Sequence, residues 1–143
     1  MRVVLDTNIL VSALLSPAGY PAAIYSAWEG GRFTLLICQE QLDELHATLP
    51  KPKIAELIKP YKAGRLVNQI KRLAEEISAL PRVRISLDPN DDHLLALSEA
   101  GKADYLITGD KSGLLGLRHH ERTQIVSARD FASRQIALGA YAH

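Results

Sequence analysis

The 143-residue chain is expected to fold as an α/β domain whose mostly parallel sheet is covered by helices on both faces. Three observations predict this. Short apolar, β-branched runs recur along the chain, segments with a three-to-four-residue apolar period separate them, and Gly or Pro punctuates the joins. The 47% hydrophobic and 23% charged residues are ordinary for one globular core and few for two, so a single domain over residues 1–143 is expected.

Arg2 to Leu5 reads as the first strand, and Ile9 to Leu15 as a helix stopped by Ser16, Pro17 and Gly19. Pro21 to Trp28 is a second helix closed by Gly30 and Gly31. Phe33 to Ile37 is the second strand, followed by a helix with Leu42, Leu45 and Leu49 on one face until Pro50 and Pro52 break it. Ile54 to Ile58 is helical, as is Ala63 to Leu80, where Leu66, Ile70, Leu73 and Ile77 form one stripe ended by Pro81. Val83 to Leu87 is the third strand and Leu94 to Ala100 a helix closed by Gly101. Tyr105 to Thr108 is the fourth strand, Gln124 to Ser127 the last, and Ala128 to Leu138 the final helix.

Cys38 is the single cysteine, so an internal disulfide is excluded and a reducing compartment, the cytoplasm, is expected. Arg2 followed by apolar residues resembles a signal peptide only briefly, because Asp6 and Asn8 interrupt the run; no stretch reaches the roughly 18 apolar residues of a membrane span. No membrane association is expected. Net charge is only +1, yet Lys51, Lys53, Lys59, Lys62, Arg65, Lys71, Arg72, Arg82 and Arg84 crowd the middle with few acids between. A solvated helix face accounts for such a run; phosphate binding by Lys51, Lys53 and Lys59 is the functional alternative.

Functional sites of open parallel sheets form beyond the C-terminal strand ends. Asp6 ends the first strand, Glu44 lies on the helix after the second, Asp91 opens the helix after the third, and Asp110 follows the fourth. Each alone has an ordinary explanation as a helix cap, a turn residue or an exposed helical acid. Together they do not, since two carboxylates about 4 Å apart repel by roughly 4 kcal/mol at an effective dielectric near 20. A cation is implied, and an all-oxygen set suits Mg²⁺ or Mn²⁺. Thr7, Asn8 and Thr108 are positioned to hydrogen-bond these acids or a metal-bound water. His119 and His120 are adjacent, so their side chains diverge on regular structure and do not form a zinc pair with any matching spacing.

The stretches "VVLDTNILVSAL", "ICQEQLDEL", "DPNDDHLLALSEAGKADYLITGD" and "SARDFA" resemble the PIN-domain ribonucleases, including the VapC-type toxins of toxin–antitoxin pairs, over nearly the whole chain. The resemblance implies a PIN-like three-layer α/β/α sandwich and a catalytic, metal-holding set of Asp6, Glu44, Asp91 and Asp110. It also implies one or two Mg²⁺ or Mn²⁺ ions and hydrolysis of RNA phosphodiesters by activated water. Glu40 and Asp92 remain alternatives to Glu44 and Asp91, although the register against Ala96 and Ser98 favours Asp91. A toxin-like member would have a small antitoxin partner and would form a homodimer, for which Tyr20, Tyr25 and Trp28 could supply apolar surface.

Two other classes compete. Haloacid-dehalogenase-type phosphotransferases also open on a strand ending in Asp, but they need a second Asp where this chain has Asn8; a covalent aspartyl-phosphate would identify them. A PIN-like module that only grips RNA or protein would lack metal-dependent cleavage.

Overall fold

Strand β1, Arg2–Leu5, lies at the centre of a six-stranded sheet of order β3-β2-β1-β4-β6-β5, and Val3, Val4 and Leu5 are essentially fully buried. The computed structural model describes residues 1–85, 91–109 and 113–136. After β1 come α1 (Thr7–Leu15), α2 (Tyr20–Glu29), β2 (Thr34–Ile37), α3 (Gln39–Thr48), α4 (Pro52–Ala55), α5 (Pro60–Leu73) and β3 (Glu75–Glu76). Then follow α6 (Asp92–Ala100), β4 (Tyr105–Ile107), α7 (Leu114–Leu117), β5 (His119–His120), β6 (Thr123–Val126) and α8 (Ala128–Phe131), which runs into a π-helical turn, Ala132–Ile136. All pairings are parallel except β5 with β6.

Alternation along the strands sorts side chains into two cores. Val3, Leu5, Leu35, Ile37 and Ile107 face α1, α2, α3, α5 and α8, while Val4, Leu36, Leu106 and Ile125 face α6 and α7. The result is the expected mostly parallel α/β/α sandwich. Among the described residues no single helix is long and apolar enough to cross a membrane; α1 and α2, apolar together, are bent by 100°.

The expected helix from Ala63 to Leu80 begins earlier and ends sooner. Pro60 opens it, where a missing N–H costs nothing, and it stops at Leu73. Leu66 and Ile70 are buried in one core, Leu73 is 47% exposed, and Ile77 packs into the core on the other side of the sheet. The fourth member of the apparent stripe therefore belongs to a different face. Between them, Glu75 and Glu76 pair with Leu36 and Ile37 of β2, and the Ile77 N–H donates to the Ile37 carbonyl at 2.8 Å. A charged, two-residue edge strand is a poor template for edge-to-edge aggregation. Arg2 holds it, its guanidinium donating to Glu75 at 3.1 Å through Nη1 and its Nε to the Gly101 carbonyl at 2.7 Å. That guanidinium draws the exposed Glu75 carboxyl below its usual pKa.

Residues 83–85 of the expected third strand form no strand; Ser86 and Leu87 lie outside the described residues. Strand β5, a histidine pair, was not expected. The final helix is α-helical only to Phe131, with Ser127 Oγ accepting the Asp130 N–H at 3.1 Å, and its expected end at Leu138 lies outside the described residues.

Gly101 closes α6 against β2, and a Cβ there would stand 2.6 Å from Leu36 Cδ1 and 3.1 Å from the Leu97 carbonyl oxygen. Leu36 is fully buried and has no free direction in which to retreat. Gly101→Ala should destabilise the protein by about 1–3 kcal/mol through overpacking. Urea denaturation checks this; an unchanged midpoint would mean that α6 and β2 separate freely.

Candidate metal-binding acid cleft

Asp6 is the residue at which β1 becomes α1. Its backbone N–H donates to the Ile107 carbonyl at 2.9 Å, continuing the ladder with β4, and its own carbonyl accepts from Ile9. The carboxylate is 6% exposed, with Oδ1 accepting the Asn8 N–H at 3.2 Å and Oδ2 accepting the Thr108 hydroxyl at 2.8 Å. A helix N-cap and a neighbouring strand thus fix both oxygens. Among the described residues no Lys, Arg or His lies within ion-pair distance of Asp6.

Helix α3 supplies the second wall. Gln41, fully buried, donates its amide to the Leu5 carbonyl, pinning α3 to the end of β1. With Gln41, Leu42 and Leu45 turned inward, Glu40, Asp43 and Glu44 line the cleft. Cys38 caps α3 without a side-chain bond, and burial pushes its thiol up to about 12, so no thiolate nucleophile exists at neutral pH.

The N-terminus of α6 supplies the third wall through Asp91 and His93. His93 Nε2 is 3.5 Å from Glu44 Oε2, a separation and geometry that leave this nitrogen without a hydrogen-bond partner among the described residues. Asp92 turns the other way, its Oδ1 accepting the Ile85 N–H at 3.2 Å. Asp6, Asn8, Glu44 and Asp91 therefore open onto one cleft of about 720 Å³, although they are scattered along the chain. Glu40 shares the cleft with Glu44, whereas Asp92 is separated from Asp91.

Thr7 is fully buried, with its hydroxyl unpartnered among the described residues, and Thr108 acts on Asp6. Asp110 lies outside the described residues. Lys51 lines the cleft, while Lys53 and Lys59 are exposed on α4 and at the start of α5. The basic run is not one face, since Lys62 and Arg65 line a different groove, between α5 and the α1–α2 pair. Trp28, 3% exposed, is core and meets Tyr25 edge-on at 5.5 Å; Tyr20, 48% exposed, remains at the surface.

Five carboxylates and one lysine among the lining groups make the cleft strongly anionic, and its oxygen-rich donor set fits a hard divalent cation. Sequence reasoning held Glu40 only as an alternative to Glu44, and missed Asp43 as a wall residue, Gln41 as the tie and His93 as the neighbour of Glu44. The signals were present: Glu40 and Glu44 are one helical turn apart, Gln41 precedes the core residue Leu42, and His93 follows two acids in the first turn of α6.

A family model of the PIN domain matches residues 2–112, and the chain belongs to the PIN domain family. Among solved structures it is similar to a chain in the crystal structure of VapBC2 from Rickettsia felis bound to a DNA fragment from their promoter. That likeness has a TM-score of 0.55 at 18% identity, covering 89% of this chain and 98% of the other, and bears on the fold. Comparison with curated proteins gave no match.

Thr108→Val keeps the side-chain shape but removes the donor to Asp6 Oδ2 inside a buried site. The expected cost is about 1–3 kcal/mol, the usual penalty for an under-satisfied buried polar group. Thermal unfolding measures it, and unchanged stability would show that Asp6 does not depend on this bond.

Proposed function

We propose that the protein is a metal-dependent endoribonuclease, and that it acts as the toxin of a toxin–antitoxin pair. The observation that supports this most is the convergence of Asp6, Glu44 and Asp91 on one cleft whose lining is mainly carboxylate. Membership of the PIN domain family supports the reaction class, and likeness to the VapBC2 chain supports an antitoxin partner.

In this proposal Asp6 and Asp91 are direct ligands of Mg²⁺ or Mn²⁺, and Glu44 and Asp110 complete the site. When bound, such an ion supplies Lewis acidity toward water and offsets charge on the phosphodiester. The chain's own groups do the rest. Thr108 and the Asn8 N–H hold both Asp6 oxygens so that the carboxylate does not rotate when charge arrives. Asn8, at the cleft surface, can hydrogen-bond a phosphate oxygen or a water. Glu44, with its side chain 39% exposed beside His93, is free to orient the attacking water and accept its proton. Lys51 offers a positive charge where the RNA backbone would enter a cleft that otherwise repels it. A homodimer, with Tyr20 in its interface, is part of the same proposal.

Incubation of the purified chain with labelled total RNA and Mg²⁺ or Mn²⁺ tests the reaction. Discrete cuts with 5′-phosphate ends are expected, abolished by chelator. Asp6→Asn should reduce the rate by more than about 100-fold, because losing even an outer partner of a metal site costs about 10–100-fold. Cleavage that survives both controls would overturn the assignment. For binding, Lys51→Gln should reduce the slope of log affinity against log salt by about one. The exposed Lys53 and Lys59 should add to that effect in the triple variant, and an unaltered slope would remove lysines 51, 53 and 59 from the RNA path.

A further inference from the structure

Among the described residues, one trio of His and acidic side chains has all its ligand atoms within 4.8 Å of one another: Glu99, His120 and Glu121. It lies outside the acid cleft. Glu99 sits near the C-terminal end of α6, eight residues beyond Asp91 and so about 12 Å along the helix axis from it. His120 is in the edge strand β5, and Glu121 follows it in the turn to β6. The two regions share a helix and occupy its opposite ends.

His120 gives the trio its meaning. The residue is 8% exposed, and its Nε2 is buried without a hydrogen-bond partner among the described residues. A buried polar atom left in this state destabilises the fold unless something binds it. Glu99 Oε1 faces it at 3.6 Å, outside hydrogen-bond range but close to the ligand spacing around a small ion. With bonds of about 2.0–2.1 Å, ligands in a tetrahedral zinc site stand about 3.3 Å apart. The ligand atoms already lie within 4.8 Å of one another, about an ångström and a half from that spacing at most. Among the described residues neither Glu99 nor Glu121 meets a Lys or Arg within ion-pair distance, so both charges remain available.

We propose that Glu99, His120 and Glu121 form a binding site for a divalent transition metal of the zinc type, separate from the acid cleft. One imidazole and two carboxylates are a borderline donor set that suits Zn²⁺ and is a poor match for Mg²⁺, which prefers oxygen throughout. Water fills the fourth position, since Glu121 is exposed. Bound metal ties the β5–β6 hairpin to α6 and satisfies the buried His120 Nε2, which is unpartnered among the described residues. Glu121 holds a left-handed backbone with φ of 52°, so the turn that presents it is already set without the ion.

Calorimetric titration of the full chain with Zn²⁺ in millimolar Mg²⁺ tests the site, with Asp6→Asn and His120→Gln alongside. The parent and Asp6→Asn should bind one Zn²⁺ with equal affinity, and His120→Gln should bind it at least tenfold more weakly. X-ray absorption of the one-to-one zinc complex should show imidazole scattering that His120→Gln abolishes. Should His120→Gln fail to fold by circular dichroism, the exposed Glu121→Gln takes its place and should weaken Zn²⁺ binding by a similar factor without lowering the metal-free melting temperature. Zinc affinity unchanged in the folded variants, or lost in Asp6→Asn alone, would overturn the proposal.

Discussion

The architecture depends on a carboxylate at the end of a strand that has no freedom to move. Val3, Val4 and Leu5 are enclosed on both faces, and β1 pairs on both edges, with β2 and β4. Asp6 extends the β4 pairing by one N–H before the chain turns into α1. A charge in this position is costly unless its oxygens are satisfied, and the fold satisfies them with one helix N–H and one strand hydroxyl, both neutral. Neutral donors fix the carboxylate without cancelling its charge. A paired arginine would have been the stronger stabiliser and would have left nothing for a cation.

The rest of the cleft follows from how neighbouring helices are tied to that strand end. Gln41 bonds to the Leu5 carbonyl, one residue before Asp6, and thereby fixes the rotation of α3. With Leu42 and Leu45 inside, Glu40, Asp43 and Glu44 must share the opposite side. Helix α6 is fixed from its other end, where Gly101 lets it close onto Leu36. Its first turn then brings Asp91 and His93 to the cleft. None of the described cleft acids joins a trio of ligand atoms within 4.8 Å.

The parts of the fold legible in the sequence were those whose burial is simple. The runs at 2–5, 33–37, 105–108 and 124–127 are apolar because their strands are covered on both faces, and all four became strands within a residue or so of expectation. The misread parts are those where neighbouring residues serve different environments. Ile77 has the spacing of the α5 stripe but packs across the sheet, and Glu75–Glu76 and His119–His120 carry no apolar alternation because they are two-residue strands at the sheet edges. Strand-end logic named Asp6, Glu44 and Asp91, which line one cleft. It could not find Gln41, whose role lies in a single amide-to-carbonyl bond, and it favoured Asp91 over Asp92 only through the register against Ala96 and Ser98, while in the structure Asp92 turns to the Ile85 N–H.

The two ends of α6 carry opposite solutions to the problem of polar groups at the sheet margin. At its N-terminus, acids from β1, α3 and α6 gather around open space, with oxygen as nearly the whole donor inventory. At its C-terminus, a buried imidazole nitrogen faces a carboxylate at a distance too long to bond. The balance of donors differs between these environments, five carboxylates with one imidazole in the cleft against two carboxylates with one imidazole at the other end, and a borderline ion gains more from imidazole than a hard ion does. His93 gives the cleft one imidazole beside its five carboxylates, so the excess of oxygen donors, not the absence of nitrogen, is what favours a hard ion there. Between the two ends, Leu97 and Ser98 are fully buried, so α6 is held against the sheet along its length by the core on that side.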